Sequence, residues 1–317
     1  MVFLANAINV FTQVLILAVI VVIGFLGDRL GFFTEKTARG CNDLLFYIIT
    51  PAVIINSFAS IGFSKENALD FLFAVLCAFA FHAVAIVLSL FVFNKGERDK
   101  NVIFKYATVY GNMGYMGLPL SQAVMKTVAG NGDIGVFYCS AAVVVFNVIC
   151  FTHGVSLMSG GGEKFSFKKL FINPGIIGIL IGAPIFLLGI NVPEIIKTPL
   201  VHLGNMNTPL AMVLFGTYLS KSNFKTMFKQ GNTYVTAILK LVVLPLVAIL
   251  GFYLFGVRGN LLVVASVFVS APTATNTTMF AAKFGNYTAI ASQVTGLVSI
   301  LAIITMPLCV ALAMILA

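Results

Sequence analysis

Residues 111–120 read GNMGYMGLPL, three glycines, an asparagine and a proline inside an otherwise apolar run. Glycine is a poor helix former, and proline both removes a backbone hydrogen bond and clashes with the preceding turn. In a bilayer each unsatisfied backbone group costs several kcal/mol, so a break of this kind survives only where protein covers it or where it lines a wet cavity. Whether the stretch is a defect or a device depends on what surrounds it.

What surrounds it is membrane sequence. The 317 residues are 60% hydrophobic and 9% charged, with a mean hydropathy of +1.04, and apolar runs of about 20 residues recur from end to end. Ten spans are predicted, over 8–27, 41–59, 69–93, 102–126, 134–158, 172–190, 200–220, 232–255, 260–283 and 289–315. The first residues, MVFLANAINVFTQ, carry no basic n-region and no small-residue cleavage site, so no removed signal peptide is expected. Cys41, Cys77, Cys139, Cys150 and Cys309 lie in or beside apolar segments without a CxxC pair, and read as small core residues.

The net charge of +9 sits in loops, which argues for a membrane surface and against nucleic acid. Taking loops alternately, the odd-numbered ones hold 14 basic residues and the even-numbered ones 4, with Lys240 left inside a span. By the positive-inside rule the odd loops are cytoplasmic and both termini extracytoplasmic, in a multi-pass protein of the cell membrane.

Thr50-Pro51 in the second span recurs as Thr208-Pro209 in the seventh, 158 positions on. The same offset carries each of the first five spans onto one of the last five. An odd number of spans per unit makes the two units cross in opposite senses, giving an all-α membrane fold of ten transmembrane helices in two inverted repeats, 1–158 and 172–317. The stretch 159–171, with glycines at 160, 161 and 162, reads as a cytoplasmic linker.

Under that offset the opening stretch is paired with SAPTATNTTM, residues 270–279, in the ninth span. Two broken helices at matching positions point to a binding site at the repeat interface, where half-helix ends present N–H groups to an anion and carbonyls to a cation. Asn112 and Asn276 add amides, Thr273, Thr275 and Thr277 add hydroxyls, and Gly114, Pro119 and Pro272 open the backbone. Small and hydroxylated residues also permit close helix packing in a membrane, which is the competing reading of the glycines and threonines.

These two motifs resemble those of the auxin efflux carrier family in its bacterial form: Asn112, Gly117, Pro119 and Leu120 in the fourth span, and Pro272, Ala274, Asn276, Ala282 and Phe284-Gly285 in the ninth. The resemblance implies a fold like that of bile-acid/sodium symporters, with a scaffold of spans 1, 2, 6 and 7 and a transport part of spans 3–5 and 8–10. It also implies broken helices crossing at Pro119 and Pro272, a homodimer and an elevator-like movement. In it Asn112 would meet a substrate carboxylate. Asp70 looks like the aspartate of a plant Asp/Lys pair in the third span, but Ala74 stands where the lysine would be, a departure from plant-type auxin recognition; the resemblance to bacterial members that carry malate or malonate implies a small dicarboxylate over an auxin-like acid.

Lys240 falls near the bilayer middle, and 158 positions before it lies His82, a second nitrogen-bearing side chain at the related position. Together they could attract an anion or respond to protons, while snorkelling and packing are their ordinary roles. All ten acidic residues fall in loops or near span ends, which disfavours a cation/proton antiporter built on an intramembrane carboxylate. No hydrolase, metalloprotease or nucleotide-binding motif is present. The chain reads as a secondary carrier for a small organic anion with no cofactor and with sodium or protons as candidate coupling ions. A sodium-coupled symporter is the alternative, and a non-transporting membrane sensor a more distant one.

Overall fold

The helix Lys65–Val92 shows how this chain distributes its apolar residues. Most of its large side chains, among them Leu69, Leu72, Phe73, Leu76, Val87, Leu90 and Phe91, are exposed at helical spacing, while Ala74, Ala78, Ala85 and Ser89 are buried together with Phe81 and His82. Large residues outside and small ones inside suit a helix whose outer face meets lipid and whose inner face must approach its neighbours closely. The computed structural model describes residues 2–163, 171–221, 228 and 230–317.

Among these residues the regular structure is helix, with one isolated β-bridge. In chain order the helices are α1 (Val2–Arg29), α2 (Glu35–Ile61), α3 (Lys65–Val92), α4 (Arg98–Val109), α5 (Leu118–Val128), α6 (Gly132–Met158), α7 (Pro174–Leu187), α8 (Glu194–Asn205), α9 (Asn207–Ser220), α10 (Gly231–Leu254), α11 (Gly259–Ser270), α12 (Asn276–Lys283) and α13 (Thr288–Leu316). Six stretches are each long and apolar enough to cross a membrane: Phe11–Arg29, Glu35–Ile61, Lys65–Val92, Gly132–Met158, Gly231–Leu254 and Thr288–Leu316. The other four predicted spans are divided or shorter. Those over 102–126 and 260–283 break as the sequence suggests, and α7 is short.

The span predicted over 200–220 departs from its hydropathy pattern. The helix there begins earlier, at Glu194, and restarts after Met206. Pro209 explains the position, because it has no N–H for the carbonyl of Asn205 four residues back and its ring crowds that carbonyl. The predicted linker 159–171 falls largely on residues 164–170, outside the described residues.

Among the described residues four turns are widened to i→i+5 hydrogen bonding: Leu45–Ile49, Met113–Gly117, Cys150–Gly154 and Leu239–Val243. Three of them stand just ahead of a proline, at Pro51, Pro119 and Pro245, where the missing N–H frees a carbonyl and the turn relaxes around it. Such turns also change the direction in which side chains point.

Packing follows close approaches at glycine. α1 lies along α9, and a Cβ on Gly24 would come within 2.1 Å of the Val213 carbonyl oxygen, one on Gly216 within 2.1 Å of that of Val21. α7 lies along α2 in the same manner, with Gly178 against Pro51 and Ile54 and Gly182 against Phe58. Elsewhere α6 is the hub for α3 and α5, and α13 packs on α11. At the α5–α6 contact a Cβ on Gly135 would fall 2.2 Å from the Ser121 carbonyl oxygen.

Candidate functional site

Two helices end near one another inside the protein. α4 stops at Val109 and α11 at Ser270, and the chain leaves the helix after each before it resumes. These segments, 110–112 and 271–275, lie side by side. Gly111 and Thr273 form an isolated antiparallel bridge, in which Asn112 N donates to the Pro272 carbonyl at 2.7 Å and Ala274 N to the Tyr110 carbonyl at 2.9 Å. The backbone groups that the two breaks expose therefore satisfy one another, which is how a buried break avoids its desolvation cost.

Side chains complete the repair. Thr273 Oγ1 donates to the Ala107 carbonyl at 2.8 Å, and Thr277 Oγ1 to the Ala274 carbonyl at 2.7 Å. Asn112 caps the turn that follows it, its Oδ1 accepting from Tyr115 N at 3.4 Å. That bond fixes the amide orientation and leaves Nδ2 buried without a protein partner. Asn276 opens α12, with its Nδ2 directed to Cys150 Sγ at 3.5 Å and its Oδ1 buried without a partner. The crossing thus presents a free amide donor from one break and a free amide acceptor from the other.

The remaining predicted residues divide into two groups. Lys240, on the widened turn of α10, is fully buried and donates from Nζ to the Val109 carbonyl at 3.3 Å. His82 is also fully buried. Its Nδ1 donates to the Ala78 carbonyl at 2.7 Å, its ring centroid is 6.3 Å from that of Tyr110, and its Nε2 has no partner. Gly114 lies in the widened turn after the first break, where a Cβ would meet Phe46 at 3.6 Å. Pro119 accepts from Thr208 Oγ1 at 3.4 Å through its carbonyl, and Thr275 is half-buried at the head of α12. Asp70 stands apart, its Oδ2 accepting from Tyr138 of α6 at 3.0 Å.

Several residues that the sequence reading passes over also belong here. Cys150 touches Tyr106 Oη at 3.2 Å as well as Asn276, and His153 Nδ1 meets Tyr110 Oη at 2.8 Å. Asn42 accepts from both Tyr115 and Tyr218, joining α2 and α9 to the turn after the first break. Asn207, next to Thr208, is buried with neither amide atom partnered. These pairs are far apart in sequence, and only the unusual placement of asparagine in apolar sequence could have signalled Asn207.

None of the buried residues is an aspartate or glutamate, and no cluster of potential metal ligands occurs among the described residues. The family model described as "Membrane transport protein" matches residues 9–169 and 163–310. The chain is also similar to the "Putative malonate transporter" of Rhizobium meliloti (strain 1021), at 22% identity over 297 residues that cover 90% of each chain. A multi-pass membrane chain whose two broken helices meet inside the protein, and whose length is matched almost throughout by that family model, is a membrane transporter and not an enzyme: it belongs to the auxin efflux carrier family of membrane transport proteins.

Proposed function

We propose that the chain is a secondary carrier for a small organic anion, a dicarboxylate of the malonate or malate class, bound where the two breaks cross. The observation that carries this reading is the pair of unpartnered amide atoms at the crossing, Asn112 Nδ2 and Asn276 Oδ1. A buried polar group without a partner costs about 1–3 kcal/mol, so such atoms are worth keeping where a ligand completes them. Asn112 Nδ2 suits a carboxylate oxygen, and the Asn276 amide can offer either its oxygen or, after rotation, its NH2. The similarity to a protein named for malonate agrees in substrate class.

In this reading the chain makes ten crossings, with α4–α5, α8–α9 and α11–α12 each counting as one, in two inverted repeats over 1–158 and 172–317. The packing supports it by exchange: the first span lies on the seventh as the sixth lies on the second, and Gly24 and Gly182, both at close helix contacts, are 158 positions apart. α1, α2, α7, α8 and α9 would form the scaffold of a homodimer in the cell membrane, with both termini outside, and the rest would carry the anion across.

Uptake of radiolabelled malonate, malate and indole-3-acetate into proteoliposomes tests the proposal. Wild type should accumulate at least one dicarboxylate, and Asn112→Ala should lower uptake about 10- to 100-fold, the equivalent of one hydrogen bond to a charged group. Transport left unchanged in both Asn112→Ala and Asn276→Ala would remove the crossing as the site.

A further inference from the structure

Lys240 is the one charged side chain among the buried described residues, and no carboxylate is buried with it. Its compensation comes from elsewhere. Nζ donates to the carbonyl of Val109, the last residue of α4, so the ammonium sits at the negative end of a half-helix. It also lies 5.2 Å from the centre of the Phe81 ring, whose face attracts cations. A Cβ built on Gly111 would be 3.3 Å from Nζ and 3.4 Å from the Ala271 side chain, so the ammonium lies beside Gly111 of the first break, which is itself packed against Ala271 of the second.

Local structure brings it there. Pro245 leaves the Leu241 carbonyl without its helical donor, the turn Leu239–Val243 widens, and Cys309 Sγ approaches that carbonyl at 3.9 Å. Around the same half-helix end the Ala107 carbonyl is taken by Thr273 Oγ1 and the Tyr110 carbonyl by Ala274 N. A half-helix end with unwound carbonyls is where transporters coordinate a coupling cation. Here those carbonyls are already engaged by protein donors, one of them an ammonium.

Building on the carrier reading above, we infer that Lys240 is the carrier's resident cation: its ammonium at the Val109 carbonyl stands in for a coupling sodium ion, so transport proceeds without sodium. Lys240 is then a positioning residue, which holds the crossing and supplies positive charge near the anion without touching it. Its other titratable neighbour at the crossing is His82, whose Nε2 is unpartnered.

The test is malonate uptake into proteoliposomes in sodium chloride and in choline chloride, for wild type, Lys240→Arg and Lys240→Ser, with each protein's thermal stability read in detergent in both salts. Wild type should transport equally in the two salts and gain no stability from sodium. Lys240→Ser should fall about tenfold in choline and recover in sodium or on adding methylammonium, while Lys240→Arg keeps most of the activity. A wild type that needs sodium, or is stabilised by it, overturns the inference. So does a Lys240→Ser carrier that matches wild type in choline, or one equally impaired in every salt. If Lys240→Ser does not fold, the wild-type stability arm still decides. If wild type moves no probe in either salt, the carrier reading fails by itself, and sodium-specific stabilisation of Lys240→Ser alone still supports the resident cation.

Discussion

The two breaks solve one problem by different means. The first, at 110–112, is short and has Gly111 at its centre. It re-enters helix through a widened turn, and its asparagine is buried with one amide hydrogen-bonding group to spare. The second, at 271–275, is longer and contains Pro272; Thr273 within it satisfies the Ala107 carbonyl near the end of α4, and Thr277 just after it satisfies the Ala274 carbonyl of the break itself. The difference suggests a division of labour: the first break offers chemistry to a ligand, and the second holds the backbone so that the first can remain open.

Substitutions can break that comparison. The largest effect is expected from Asn112→Asp, which places a carboxylate where the anion's own would bind. Like-charge repulsion in a dry site should abolish uptake, and the thermal midpoint in detergent should fall by the cost of the buried carboxylate. A transport-competent Asn112→Asp would show that the first break is structural after all. Thr273→Val acts on the backbone and places no charge in the site: it leaves the Ala107 carbonyl buried and unpaired, at about 1–3 kcal/mol, so the midpoint falls, and Thr273→Ser should restore it. Asn276→Ala should be milder, a few-fold loss of uptake, because Asn276 is only half-buried and its Nδ2 contact is a weak one to sulfur.

How much of this can be read from the sequence follows from the range of each interaction. Hydropathy gives the spans because burial in lipid needs about 20 apolar residues in a row, and the glycines and prolines of 111–120 and 270–279 mark the breaks because their effect is local. The interruption at Met206 escapes a hydropathy window, which averages over it even with Pro209 in view. The hydrogen bond between Asn112 and Pro272 is not legible, because it joins residues whose register depends on how all the helices pack. The same holds for Lys240: its position near mid-depth follows from spacing, but its carbonyl partner, 131 residues away, does not.

The smallest effect is expected at the outer ends of the two broken units. Glu97 stands at the head of α4, whose far end is the first break, and Tyr287 at the head of α13, just after the helix that follows the second. Glu97 accepts from Tyr287 and pairs with Lys100 at 2.6 Å. Hydrogen bonds from Lys100 first and Tyr287 second hold its carboxyl below the ordinary carboxylate range. A carboxylate whose folded pKa is depressed contributes stability above its unfolded pKa and loses it as pH falls through the folded value. Wild type should therefore lose a little thermal stability on acidification below about pH 4.5, the ordinary value for Glu97, and Glu97→Gln should remove that part of the pH dependence. The group is fully exposed, so water and salt screen the pair and the shift in midpoint should be slight. A large shift would mean that the outer tie, and not the meeting of the breaks, keeps the two units in register.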